Sequence, residues 1–209
     1  MAKGGIPIFL VVLAVTSLFA LSTRFCDLAL LRYATIFFVF FSLFTIYFFR
    51  DPERTTPQGA NLYIAPADGR VLQIIQMPEG IRVDVFMSVF NVHVNRIPCA
   101  GRVDRITYYP GQFFSAFQDK ASDLNERMVI EIVQGEKRVI VKQIAGLVAR
   151  RIVCHLKEGD EVSPGDRFGM IKFGSRVDLT LPVDTEVTVR VGDHVKAGQT
   201  IMGVMRNVT

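Results

Sequence analysis

Two patterns of hydrophobic and polar positions divide the chain. From 6 to 21 the sequence IPIFLVVLAVTSLFAL carries no charge, and from 33 to 49 the 17 residues YATIFFVFFSLFTIYFF carry none either. Each predicts a helix that is apolar all round. At 1.5 Å per residue such a helix reaches about 25 Å, so flanking residues must be drawn in to match a hydrocarbon core about 30 Å thick. Arg24, Asp27 and Arg32 lie between the two stretches, and a charge at a bilayer centre costs roughly 2.5 to 3.5 kcal/mol. One continuous span is therefore excluded. Residues 1–50 read as a membrane-anchoring helical hairpin with a short polar turn; a signal peptide is disfavoured because LFALSTR offers no small-x-small cleavage site.

After the second stretch, RDPERTTP (50–57) has the prolines and charges of a membrane-exit linker. Beyond it the period changes to two. RVLQIIQM (70–77), IRVDVFM (81–87), RVDRITYY (102–109), MVIEIV (128–133), RVIVKQI (138–144), RVDLTL (176–181) and EVTVRV (186–191) alternate or are β-branched, with Gly, Pro or Asp between them. Residues 51–209 thus predict a mainly β domain, an antiparallel barrel or sandwich of about ten to twelve short strands. Two internal echoes accompany the strands. PADGRV (66–71) and PCAGRV (98–103) share P-x-x-G-R-V, and GDEVSPG (159–165) and GDHVKAG (192–198) share G-D-x-V-x-x-G. Each pair predicts one turn-and-strand unit used twice. The second pair resembles the hairpins of lipoyl and biotinyl carrier domains, but Lys172 in GMIKFGS is not the attachment lysine between two methionines that such carriers need.

Composition sharpens the division. Of the first 50 residues 35 are hydrophobic, and 10 of the 17 phenylalanines precede Arg50. The formal net charge of +4 splits into +3 on the first 50 residues and +1 on the rest. Excess basicity therefore lies beside the apolar segment, where it anchors helices to membrane surfaces, and the domain lacks the basic stripe of a nucleic-acid binder. Cys26, Cys99 and Cys154 are odd in number and have no metal-ligand spacing, so no metal is expected. A disulfide framework is not expected either, which points to a reducing, cytosolic face of the cell membrane.

Three stretches are hard to explain by packing: IAPADGRV around Asp68, FMSVFNVHVNRIP around His93 and IKFGSRVDLTLP around Ser175. Taken singly, a D-G turn residue, a histidine in an apolar strand and a serine after glycine are ordinary structural features. Their joint occurrence behind a membrane anchor resembles the phosphatidylserine decarboxylase family in its short membrane-anchored form, from the exit linker to the C-terminus. V-H-V-N-R-x-P followed by a late F-G-S-R-V is the specific part of that resemblance. It implies a pyruvoyl enzyme, cut by itself between Gly174 and Ser175, that removes the headgroup carboxylate of phosphatidylserine as CO2 and leaves phosphatidylethanolamine.

Gly174 carries no side chain, so the peptide before Ser175 is free to adopt a crowded geometry in which the hydroxyl reaches the preceding carbonyl. The resemblance implies an N-to-O acyl shift, then β-elimination, and finally a pyruvoyl group at 175 that forms a Schiff base with the substrate amine and needs no external cofactor. The two pieces, 1–174 and 175–209, are then partners in one heterodimer, with a higher oligomer left open. A serine hydroxyl needs a base, for which His93 is the candidate, with Asp68 as the group that orients the imidazole. Long bacterial members of the family have two histidines three apart here, and this chain has Arg96 in the second place. Arg96 and Arg176 are the candidates for pairing with the lipid phosphate or carboxylate. His155 and His194 stand in loop settings with no partners at metal spacing and read as structural or solvent-facing. An archaetidylserine-type substrate fits the same residues, and a non-enzymatic membrane adaptor built on the lipoyl-like hairpins is the rival from another class.

Overall fold

The computed structural model describes residues 1–26, 28–59, 61–112, 114, 124–146, 152–171 and 175–206. The chain forms two compact units, Met1–Pro52 and Glu53–Thr209.

The first unit holds helices α1 (Ile6–Phe25) and α2 (Ala29–Phe48), each 20 residues long. That is about 30 Å of helix, enough to cross a bilayer core. Both helices take in flanking residues, Arg24 and Arg32 among them, so the connection is shorter than the uncharged stretches alone imply. Where the helices meet, the Thr16 and Ser42 hydroxyls lie 3.1 Å apart, and Phe19 stacks on Phe38 at 5.2 Å between ring centroids. Thr16, Ser42 and Thr45 also donate to the carbonyls of Val12, Phe38 and Phe41 one turn back, so no hydroxyl of these three is left unsatisfied in an apolar surrounding.

The second unit is mainly β. Its described strands are β1 (Leu62–Ile64), β2 (Gly69–Met77), β3 (Gly80–Met87), β4 (Val94–Arg96), β5 (Gly101–Tyr109), β6 (Arg127–Gln134), β7 (Lys137–Ile144), β8 (Ile152–Cys154), β9 (Glu161–Val162), β10 (Arg167–Ile171), β11 (Ser175–Leu181), β12 (Thr185–Val187), β13 (His194–Val195) and β14 (Ile201–Met205). An eight-stranded antiparallel sheet in the order β13-β2-β3-β11-β7-β6-β5-β9 curls around the core, and two three-stranded sheets, β1-β14-β12 and β4-β10-β8, complete it. Alternation puts Val83, Val85 and Met87 of β3, Ile130 and Ile132 of β6, Val139 and Val141 of β7, and Val177, Leu179 and Leu181 of β11 into one buried cluster. Fourteen described strands exceed the ten to twelve expected because several are pairs or triplets of residues, too short to leave a periodic signature. The stretch 186–191 is strand only as far as Val187. Thr188 then donates to the Met202 carbonyl and Arg190 N–H to the Asp193 carboxylate, which turns the chain out of the ladder.

The two sequence echoes are one structural unit used twice. β13 pairs with the start of β2, Val195 opposite Gly69, and β9 pairs with the start of β5, Val162 opposite Gly101. Val71 N–H donates to the Asp193 carbonyl as Val103 N–H does to that of Asp160, both at 2.9 Å. The bounding glycines Gly159, Gly165, Gly192 and Gly198 have φ of 92°, 87°, 97° and 72°, a region that favours glycine over any side chain. The shared glycines of the motif are thus dictated by backbone conformation.

Candidate active site

Ser175 opens β11, the strand held between β3 and β7 in the middle of the large sheet. It lies opposite Met87, is fully buried, and its hydroxyl points at the Met87 sulfur at 3.4 Å. By alternation it shares a face with Val177, Leu179 and Leu181, so the serine stands where the pattern of the strand calls for a core residue. Gly174 and Lys172 lie outside the described residues.

His93 is also fully buried, whereas His155 and His194 are exposed. Its Nδ1 is 3.0 Å from the Asn91 carbonyl. A carbonyl only accepts, so Nδ1 carries the proton and Nε2 is the basic nitrogen. Asn91 is itself fixed, because its side-chain oxygen accepts from both the N–H and the hydroxyl of Ser88 at 2.8 Å. Sequence reading missed Asn91; the S-x-x-N spacing of such a turn was its only signal.

Two residues after His93, Asn95 of β4 shares the Met87 sulfur with Ser175. Its Nδ2 reaches the Met87 sulfur at 3.8 Å and the Pro66 carbonyl at 3.4 Å, and its Oδ1 accepts from Gln143 Nε2 at 2.8 Å. Met87 therefore links Ser175 to Asn95, and Asn95 links both to Gln143. Asn95 and Gln143 are fully buried polar side chains that sequence reading passed over, although Asn95 stands inside the V-H-V-N-R-x-P motif.

Asp68 contacts groups other than His93 in the structure. Its oxygens accept from Arg54 at 2.5 and 2.8 Å and from the Ala197 N–H at 2.8 Å, while the histidine is oriented by Asn91. Arg54, read from sequence only as part of the exit linker, also donates to the Ala197 carbonyl at 2.6 Å. In the repeated unit the place of Asp68 is held by exposed Ala100, so the local backbone does not require an acid there. Asp68 instead ties the linker and the turn before β14 to the sheet.

The two arginines expected to meet the headgroup are both enclosed. Arg96 runs between the glycine turns of the two repeats, where Nη1 donates to the Gly165 carbonyl at 2.9 Å and its stem occupies the space a side chain at Gly198 would need. Arg176 has no exposed surface; its Nε donates to Asp178 at 2.5 Å and its Nη2 to Asp84. Asp84 also accepts from Gln73 at 2.6 Å and pairs with Arg82 at 3.0 Å. Burial and the neighbouring Asp178 carboxylate push Asp84 up to about 6, against the pull of Arg176. This cluster lies on the face of β3 and β11 opposite Ser175 and fixes their pairing.

A family model for phosphatidylserine decarboxylase matches residues 41–203. The phosphatidylserine decarboxylase proenzyme of Nitratidesulfovibrio vulgaris is 51% identical over 192 residues, covering 85% of this chain and 88% of the relative. That of Chlorobium chlorochromatii is 50% identical over 173 residues, 80% of this chain and 82% of the relative, and that of Pelobacter propionicus 42% over 208 residues, 95% and 94%. The similarity runs through the buried serine, the histidine turn and the strands that hold them, and the chain belongs to the phosphatidylserine decarboxylase family.

Proposed function

We propose that this chain decarboxylates the serine headgroup of phosphatidylserine after cutting itself between Gly174 and Ser175. The observation that carries the reading is the burial of a serine hydroxyl at the start of a central strand, in a chain of this family that also buries a histidine whose Nδ1 is held by a carbonyl. His93 Nε2 takes the proton as the Ser175 oxygen adds to the Gly174 carbonyl carbon. The C–N bond then breaks, the acyl group passes to oxygen, and the nitrogen recovers a proton from the imidazolium. Loss of the Cα proton expels the Gly174 carboxylate, and water releases ammonia from the new end at 175. Met87 and Val177 near position 175 and the neutral amides of Asn95 and Gln143 suit an uncharged keto group. When present, that group supplies a carbonyl that takes up the amine and the electrons of the breaking C–C bond. Residue 175 and the side chains around it orient the headgroup and exclude water.

The sheet topology suits a cut at this point. β11 is laddered to β3 on one side and β7 on the other, and β14 lies between β1 and β12, so the 175–209 piece stays bound after cleavage. Phe90, 65% exposed at the tip of the histidine turn, supports a lipid substrate, and the two apolar helices support a membrane anchor. Intact mass of the denatured protein tests the reading. We expect two chains, the smaller beginning at 175 with a blocked end, and one uncut inactive chain for Ser175→Ala. An uncut wild-type chain with full activity would overturn the self-cleavage, and an uncut chain without activity would favour the adaptor.

A further inference from the structure

Gln143 stands one residue before the end of β7, between Met128 of β6 and Val177 of β11. Val139 and Val141 precede it on the same face and belong to the core, so alternation places an amide where an apolar side chain would stabilise the sheet more. Opposite it Gly169 leaves room, since a side chain there would press on Gln143 Nε2 at 3.2 Å. The direction of the amide is fixed by its neighbours. The Pro66 carbonyl only accepts, so Asn95 must turn Nδ2 toward it; Asn95 Oδ1 then faces Gln143, which must offer Nε2. Gln143 Oε1 is thereby turned away from Asn95, and it is fully buried with no hydrogen-bond partner among the described residues.

Leaving such an acceptor unmet is unfavourable, because it has given up water without a replacement donor. What meets it must donate an N–H or O–H. Because Val177 pairs with Gln143, Ser175 is its diagonal neighbour on the same face, typically about 7–8 Å away across the ladder. A glutamine side chain and one bound nitrogen fill that gap. Of the polar groups on a serine phospholipid headgroup, phosphate and carboxylate only accept and the ammonium only donates. We infer that Gln143 Oε1 is the acceptor for the headgroup ammonium, held in direction by Asn95 and Pro66, and that it selects an amine-bearing headgroup at position 175. A neutral amide suits this work better than a carboxylate, which would be buried as an unpaired charge in the empty site and would repel the headgroup carboxylate.

This inference rests on the self-cleaved, amine-reacting site proposed above, and the test separates the two. Full-length wild-type and Gln143→Met proteins in detergent are checked for cleavage by intact mass. Borohydride treatment then reduces the ketone at 175 to an alcohol, hydride coming from the reagent and the proton from water, so that amines bind there without reacting. Calorimetry measures binding of dihexanoyl phosphatidylserine and of its deaminated counterpart with a 3-hydroxypropanoate headgroup. We expect Gln143→Met to weaken binding of the amine lipid roughly tenfold to a hundredfold and to leave the deaminated lipid unchanged. Equal losses for both lipids, or no loss, would overturn the role of Gln143 while leaving the decarboxylase reading intact. An uncut wild-type chain would overturn both. Should Gln143→Met fail to fold or to be cut, Gln143→Glu carries the test, since it keeps an oxygen in place. Preference for the amine lipid at or above the wild-type ratio supports the inference, and loss of that preference refutes it.

Discussion

The hairpin and the β unit bury opposite chemistries. In α1 and α2 the buried residues include Thr16, Ser42 and Thr45, while Leu10, Leu18, Leu21, Phe37 and Phe40 are exposed. In the β unit Val85, Val141 and Leu179 are fully buried, while Arg102 and Arg105 of β5 are exposed. A lipid solvent around the hairpin would account for this. In a bilayer, leucine against lipid gains nothing by turning inward, and helices associate through close packing and hydrogen bonds. In water, apolar area is driven inside at about 25 cal/mol per Å². The β unit departs from its own rule at Ser175, His93, Asn95 and Gln143, all fully buried and polar, and also in the Arg176 cluster that locks β3 to β11. Buried polarity lies at the helix contact in one unit, and in the other it gathers in the residues near Met87 and in the Arg176 cluster.

The sharpest way to break this contrast is to remove a polar group from each interior. His93→Ala should slow self-cleavage by about 10² to 10⁴, the usual cost of losing a general base, while Thr16→Ala leaves it at the wild-type rate. Appearance of the small chain on a gel over time measures both. Wild-type kinetics for His93→Ala would place the base elsewhere.

Next in size is the apolar interior. Leu179→Ala should lower the stability of the β unit by about 2–5 kcal/mol in urea unfolding, because the site cannot collapse around the cavity. Leu18→Ala, on the exposed face of α1, should leave the same transition unmoved. Equal effects would mean that the hairpin contributes to the core of the β unit.

Deleting residues 1–52 should leave self-cleavage intact and lower turnover of phosphatidylserine in vesicles by roughly 10², since anchoring raises effective concentration at the surface. Activity on short-chain lipid in detergent should hardly change. Equal vesicle activity of the two proteins would deny the hairpin its anchoring role.

The smallest effect concerns the buried ion cluster. The folded chain holds Asp84 at about 6, above its ordinary range, so the folded state keeps the proton longer than the unfolded one. Its contribution is present below about pH 4 and is lost as pH rises through about 6. The melting temperatures of wild type and Asp84→Asn should lie closest near pH 4, with wild type falling behind as pH approaches 7. A gap that stays constant across that window would show that Asp84 does not titrate there.

Much of this was legible in the sequence. Two uncharged stretches sufficed for the hairpin, and period-two alternation located seven strands, because burial against one solvent imposes a periodicity that a single chain displays. The glycines of the two echoed units were legible for the same local reason, a backbone conformation that each chain segment sets for itself. The partners of charged groups were not, because an ion pair joins residues far apart in the chain. Nothing in RDPERTTP announces that Arg54 clamps Asp68, and nothing in RVDLTL shows that Arg176 is enclosed by Asp84 and Asp178. Asn91 and Gln143 stayed silent for the same reason, since an amide gains its role only from what the fold sets beside it. The chain's pattern alone determined where it is apolar, where it alternates and which residue types stand in the motif. Only the tertiary structure decided which of them meet, because register across β3, β11 and β7 is fixed by the whole sheet and by no one strand.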